Sequence, residues 1–222
     1  MTNLIALNSI RGKSGKDTLI GLLESEGRTV GRVAFGDVLK ERCAQVLAGG
    51  PSCEAKAFEK GMHTSVKDNP NMALSIQMIS GSSYRHWLLA NHVETDADLK
   101  APRSLRWHLQ KFGTDYSRVH LKNPDIWLNE GFKVLNARLE EKPDCIVITD
   151  LRQVNEYDQL IWSDFKTVRI VRDWFIPQVD DQPYHITDIA LMAHKFDSLV
   201  VNKLGEPWGM LDQLYYQGVL RG

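Results

Sequence analysis

The stretch Ile10-Arg11-Gly12-Lys13-Ser14-Gly15-Lys16-Asp17-Thr18 constrains this chain more than any other. It follows the apolar run Leu4-Ile5-Ala6-Leu7 and precedes the helical pattern Leu19-Ile20-Gly21-Leu22-Leu23. Strand, tight Gly-containing loop, Lys and helix in that order are the layout of a phosphate-binding loop. Gly15 lets the backbone approach a phosphate closely, and successive N–H groups there form an anion-binding concavity. The following helix adds unpaired N–H donors and the positive end of its dipole. Lys16 then sits on the terminal phosphates as a point charge. The pattern departs from G-x-x-x-x-G-K-[ST] twice: Ile10 stands for the first Gly, and Asp17 separates Lys16 from the Thr18 hydroxyl. An ordinary strand-to-helix turn with a solvated Lys is the competing reading. Gly12, Ser14, Gly15, Lys16 and Thr18 arriving together after a strand favour the phosphate loop, in which Lys13 and Asp17 also belong to the donor-binding stretch.

The order of elements alternates. Strands are expected at about Leu4–Ser9, Thr29–Phe35, Cys145–Thr149, Lys166–Val171 and Leu199–Val201. Helices are expected at Lys16–Glu26, from an Asp37 N-cap onward, and at Ile126–Leu139, Asn155–Trp162, Thr187–His194 and Pro207–Tyr216. Cys145–Thr149 is continuously apolar, as in a strand buried on both faces of a parallel sheet. Between Gly49 and Lys122 the pattern changes to broken helices: Asn71–Ala90 with a break at Gly81, a polar loop Thr95–Pro102, and Arg103–Tyr116 ending near Gly113. This predicts one α/β domain, with a core of about 1–48 and 124–222 and a helical insertion of about 49–123.

A chain of 222 residues, 43% hydrophobic and 25% charged, can bury a sizeable core, and its net charge of −1 gives no bias toward nucleic acid or membrane. No apolar run approaches membrane-spanning length, and no signal peptide is apparent. Cys43, Cys53 and Cys145 form no C-x-x-C, so reduced, cytoplasmic life is the expectation. The seven His residues form no ligand set. Core or solvated roles are expected for them.

Ligands in such sheets bind beyond the carboxyl ends of the strands. Cys145–Thr149 ends in Asp150-Leu151-Arg152: the carboxylate suits magnesium, and Arg152 suits a phosphate. Asp150 also reads as a cap for the following helix, and the two roles can coexist. Asp37 reads equally as an N-cap or as a group orienting an acceptor phosphate or a metal's water shell, and Lys40 lies one turn on. Arg103, Arg106 and Gln110 lie three and four apart, so they are expected on one helix face, with Arg118 beyond. That face suits a phosphate clamp with an amide reading a base. A solvated basic face is the alternative.

Taken in order, Ser14-Gly15-Lys16-Asp17-Thr18, Ala34-Phe35-Gly36-Asp37-Val38-Leu39-Lys40, Leu109-Gln110-Lys111-Phe112-Gly113-Thr114-Asp115 with Arg118 and Trp127, Thr149-Asp150-Leu151-Arg152-Gln153-Val154-Asn155-Glu156, and Val200-Val201-Asn202-Lys203-Leu204-Gly205 resemble the deoxynucleoside monophosphate kinases of large bacteriophages, within the P-loop kinase superfamily. Thr18 two places after Lys16 also resembles the G-K-x-T loop of nucleoside monophosphate kinases. Ile10, and Thr187-Asp188 where Ser-Glu is expected, depart from the pattern. Gly49–Asn69 carries no recognisable motif and lies where acceptor specificity is expected to be decided.

The resemblance implies a three-layer P-loop kinase fold, a parallel sheet in the order 2-3-1-4-5, and a helical acceptor-binding insertion and lid. The implied reaction moves a phosphoryl group from ATP to a deoxynucleoside monophosphate. Lys16, Arg152, Asp150 and Asp37 are the implied catalytic residues. Thr18 and Asp150 would hold Mg2+, and Arg172 and Asn202 would flank the adenine. Asp37, Lys40, Arg103, Arg106, Gln110, Arg118 and Arg152 would bind the acceptor. Small-molecule nucleotides are the implied partners, with neither a membrane nor direct nucleic-acid binding, and a homodimer stays open. Two rival readings remain: another small-molecule P-loop kinase, of dephospho-coenzyme A or phosphomevalonate type, and a non-catalytic nucleotide-binding regulator. The dense Arg/Gln face speaks against the second, which needs no second phosphate clamp.

Overall fold

A computed structural model describes residues 2–181, 183–184 and 186–221, without the side chains of Ile186 and Thr187. In chain order the elements are β1 (Asn3–Asn8), α1 (Lys16–Ser25), β2 (Val30–Val33), α2 (Phe35–Ala48), α3 (Cys53–Met62), two 3-10 turns (Ser65–Asp68 and Met72–Leu74), α4 (Ser83–His92), α5 (Asp96–Lys100), α6 (Leu105–Gln110) and a π-helix (Lys111–His120). They continue with α7 (Ile126–Glu140), β3 (Cys145–Ile148), α8 (Val154–Ile161), β4 (Lys166–Arg172), α9 (Pro177–Asp180), α10 (Ile186–Ile189), β5 (Ser198–Asn202) and α11 (Gly209–Tyr216). The chain divides into two compact units, Met1–Phe35 with Glu130–Gly222, and Gly36–Asn129.

The first unit holds one five-stranded sheet, parallel throughout, in the order β2-β3-β1-β4-β5. This is the expected 2-3-1-4-5 order. Ile5 and Leu7 of β1, with Val147, Val168, Ile170 and Val200, pack with Leu19, Leu22 and Leu23 of α1 and Met210, Leu211 and Leu214 of α11. Each such side chain contributes about 1.5–3 kcal/mol on leaving water. A one-residue slip of β1 would put Ala6 where Ile5 stands, so burial sets the register. On Gly131 of α7 a Cβ would fall 2.0 Å from Phe35 Cδ1, so only Gly lets the helix come this close. The Phe35 ring meets Phe132 at 5.9 Å between centroids.

The second unit is helical around its own core, which includes Cys43, Leu47, Met62, Leu74, Tyr84, Leu88, Phe112, Tyr116 and Trp127. His108 is fully buried there. Its Nε2 donates to the Leu74 carbonyl at 2.8 Å, which leaves Nδ1 to accept from the Tyr84 hydroxyl at 3.1 Å. Burial pushes its pKa down to about 4.

Several local expectations are corrected. Asn71–Ala90 is a 3-10 turn, a non-helical stretch and then α4, because Asn71 caps the first turn and Ser82 caps α4. Thr95–Pro102 is not a loop: Thr95 and Asp98 form a capping box that starts α5. The helix after Arg103 does not end near Gly113 but widens into the π-helix, whose Phe112 and Tyr116 both stack edge-on against Tyr84. There the Gly113 carbonyl accepts from the Trp127 indole at 2.9 Å. α10 ends at Ile189, short of His194, and α11 begins at Gly209, so Pro207 precedes it. Among the described residues no helix is long and apolar enough to cross a membrane.

Candidate functional site

In the first unit the loop between β1 and α1 holds two residues at positive φ, Lys13 at 56° and Gly15 at 98°, and Gly15 caps α1 with no side-chain bond. The open N–H groups of α1 therefore face the loop, as an anion requires. The Asn202 side chain at the end of β5 is buried and donates to the Ser14 carbonyl at 3.0 Å. A Cβ on Gly15 would lie 2.2 Å from its Nδ2. The Ser14 hydroxyl is buried without a partner, a costly arrangement that an anion on the loop would relieve.

Lys16, at the start of α1, lies within electrostatic reach of Asp150 and Arg152, beyond β3. The Lys16 ammonium donates to the Ser9 hydroxyl. Burial first, then the Arg152 guanidinium, pull its pKa down to about 8, against the raising pull of Asp17, Asp150 and Asp188. A desolvated cation beside a second cation attracts an anion more strongly than either would in water. Arg152 also stands 3.9 Å from Asp188. The turn that carries Asp150 and Arg152 is held from beneath. Asn8 donates to the Leu151 carbonyl at 2.9 Å, and Glu156 accepts from the N–H groups of Arg152 and Gln153, both at 2.9 Å.

Two helix-capping readings are corrected. Gln153, not Asp150, caps α8, through a capping box with Glu156. Asp150 instead accepts from the Phe35 N–H at 2.9 Å, a bond that aims the carboxylate from the end of β3. α2 begins at Phe35, so Asp37 sits in its first turn rather than at its N-cap. An oxygen set of one carboxylate and the exposed Thr18 hydroxyl, completed by phosphates and water, suits magnesium. Among the described residues no three His, Cys, Asp or Glu side chains form a metal cluster.

A cleft of about 460 Å³ lies on the loop, lined by Lys13–Thr18, Trp174, Asn202–Gly205 and Pro207. Arg172 does not line it, contrary to expectation. Its side chain is only 6% exposed and forks onto both Asp180 oxygens at 2.7 Å, with Nη1 also on the Trp174 carbonyl at 2.6 Å. Strand geometry explains the miss. Arg172 ends β4, and the residue that reaches the cleft lies two places further, in the loop. The rule that ligands sit beyond strand ends was the available signal for Trp174.

In the second unit, Asp37 and Lys40 pair at 2.7 Å, and His63 Nδ1 lies 3.3 Å from the same Lys40 ammonium. His63 follows α3, in the stretch with no motif. Arg103 precedes the Ser104 N-cap of α6, so it does not share a helix face with Arg106 and Gln110. Its guanidinium lies 4.7 Å over the Trp107 ring. Arg106 is forked onto Asp68, a partner the spacing could not show. Arg106, Gln110 and Thr114 are exposed at four-residue steps that run into half-buried Arg118, whose Nε has no partner.

A search of the curated proteins finds no match. The family model described as "Deoxynucleotide monophosphate kinase" matches residues 57–216, more than half of the chain. The match begins after the phosphate loop, which stands on its own geometry, and it includes Asp150, Arg152, Trp174 and Asn202. With the sheet order, the loop and this match in agreement, the chain belongs to the deoxynucleotide monophosphate kinase family.

Proposed function

We propose that the protein transfers the γ-phosphoryl group of ATP to a deoxynucleoside 5′-monophosphate, giving ADP and the deoxynucleoside diphosphate. The observation that carries this reading is the desolvated Lys16 beside Arg152 on a loop with open helix N–H groups. The acceptor phosphate oxygen attacks directly, so the protein's contribution is positioning and charge stabilisation. Lys13–Thr18 cradle the donor's phosphates. Lys16 and Arg152 cover oxygens on which charge builds as the bond to the leaving phosphate breaks. Thr18 and Asp150 would hold magnesium, which would supply positive charge to the donor's phosphates. The 460 Å³ cleft receives the rest of the donor.

On the acceptor side, Asp37 and Lys40 orient the monophosphate. Arg103, Arg106 and Arg118 supply cations for it, and Gln110 reads its base. Arg106 must leave Asp68 to take this role. The enzyme supplies nucleotides for DNA synthesis in a cytoplasm, the host cell's if the gene is carried by a phage. The test is a panel of ribo- and deoxynucleoside monophosphates with ATP and magnesium, followed by coupled ADP release. Release that depends on a deoxynucleoside monophosphate and disappears on magnesium removal is the expected result. Turnover only with dephospho-coenzyme A or phosphomevalonate would move the protein to another acceptor class. ATP binding without turnover of any acceptor would make it a regulator.

A further inference from the structure

The chain beyond β4 is braced at Asp173 and at the carbonyl of the aromatic residue that follows it, Trp174. Asp173 N–H donates to the Asn202 carbonyl at 3.1 Å, which extends the β4–β5 ladder by one rung. The Asp173 carboxylate accepts from the Leu204 N–H at 3.0 Å. Arg172, locked on Asp180, holds the Trp174 carbonyl. The Lys203–Glu206 bridge closes the turn that carries Leu204 and Gly205. Trp174 is thereby fixed on the same braced turn system as Leu204 and Pro207, and all three line the cleft above Lys13–Thr18.

The cleft is divided chemically. Its loop residues present backbone N–H groups and Lys16, which suit a polyphosphate. Trp174, Leu204 and Pro207 present apolar surface, which suits a flat ring. The Asn202 side-chain amide is committed to the Ser14 carbonyl, and Arg172, outside the lining, to Asp180. Trp174 is the aromatic side chain of this lining, and the face of an indole stacks on a base of any identity.

We propose that Trp174 holds the nucleobase of the phosphate donor by stacking, in the place where an Arg plane was expected. This rests on the donor-site reading above and adds the residue that recognises the base.

The experiment compares wild type, Trp174→Ala and Trp174→Phe by calorimetric binding of Mg-ATP and of Mg-tripolyphosphate, a probe with no base. Trp174→Ala should weaken ATP binding by roughly 5- to 150-fold, the range for losing one base–aromatic stack. Trp174→Phe should keep most of the affinity, and tripolyphosphate should bind all three proteins alike. Unchanged ATP affinity in Trp174→Ala overturns the inference. So does a parallel loss of tripolyphosphate, which would mean that the loop itself was disturbed. A wild type that binds neither probe would overturn the donor-site reading, and this inference with it.

Discussion

Replacing Gly15 by Ala tests how the phosphate loop is built, and the magnitude follows from two contacts. Gly15 sits at φ 98°, where an L side chain costs about 1–2 kcal/mol. The new Cβ would lie 2.2 Å from Asn202 Nδ2 and 3.2 Å from its Cγ. Asn202 is buried, so it must swing away and give up its 3.0 Å bond to the Ser14 carbonyl. A buried group left unpaired costs about 1–3 kcal/mol. Gly15→Ala should therefore destabilise by about 2–5 kcal/mol. Asn202→Ala alone should cost about 1–3 kcal/mol, the same lost bond. In the double variant the bond is lost only once and the overlap is gone. Its cost should fall short of the sum of the singles by about 1–3 kcal/mol. Urea unfolding of the four proteins measures this, read from midpoints at unchanged slope. Additivity within about 0.5 kcal/mol would refute the claim that Asn202 braces the loop across Gly15. A Gly15→Ala cost below about 1 kcal/mol would refute the strain as well.

Lys16→Ala should lower turnover by about two to three decades, equivalent to about 3–4 kcal/mol, with circular dichroism unchanged. Because the free ammonium titrates near 8 and phosphate binds its protonated form, ATP affinity should be full below pH 8 and fall about tenfold per unit above it, with proton uptake in calorimetry run in buffers of different ionisation enthalpy; pH-independent affinity between 7 and 9.5 would remove Lys16 from the phosphates. Asp150→Asn keeps an acceptor for the Phe35 N–H but loses the charge, so its magnesium requirement should rise more than its ATP KM. If Arg106 leaves Asp68 to bind the acceptor, Arg106→Lys should raise the acceptor KM and Asp68→Asn should lower it; no change in either would mark the pair as structural. The His108 pKa, lowered in the fold to about 4 from the ordinary 6.5, means that the folded state binds fewer protons between those values, so stability is complete above pH 6.5 and falls by about 1.4 kcal/mol per unit toward pH 4, and His108→Gln should flatten that slope in urea unfolding.

What could be read from the chain alone was whatever depends on neighbours in sequence. The apolar run of β3, the strand–loop–helix around Gly15 and the stripe of α7 are local patterns, and local sterics and burial decide them. The position of Asp150 and Arg152 just beyond β3 was legible in the same way, because a strand's end is visible in sequence. Capping is legible in principle: Thr95-x-x-Asp98 and Gln153-x-x-Glu156 are short motifs, although the polar composition of Thr95–Pro102 and the nearby Asp150 point elsewhere.

Only the tertiary structure decided the partners. Arg172 and Arg106 look as available in sequence as Arg152 does, yet Asp180, eight residues on, and Asp68, thirty-eight residues back, occupy them. The widening of the helix at Lys111–His120 appears where Phe112 and Tyr116 pack against Tyr84, and nothing in the 3.6-residue period announces it. Asn202 and Ser14 lie 188 positions apart and share one bond. Trp174 reached the cleft because a half-buried ion pair at the strand's end turned Arg172 away and left the next loop residues to line it. Charge pairing and close packing act through space, so the identity of a guanidinium's partner is a property of the folded chain rather than of its order of residues.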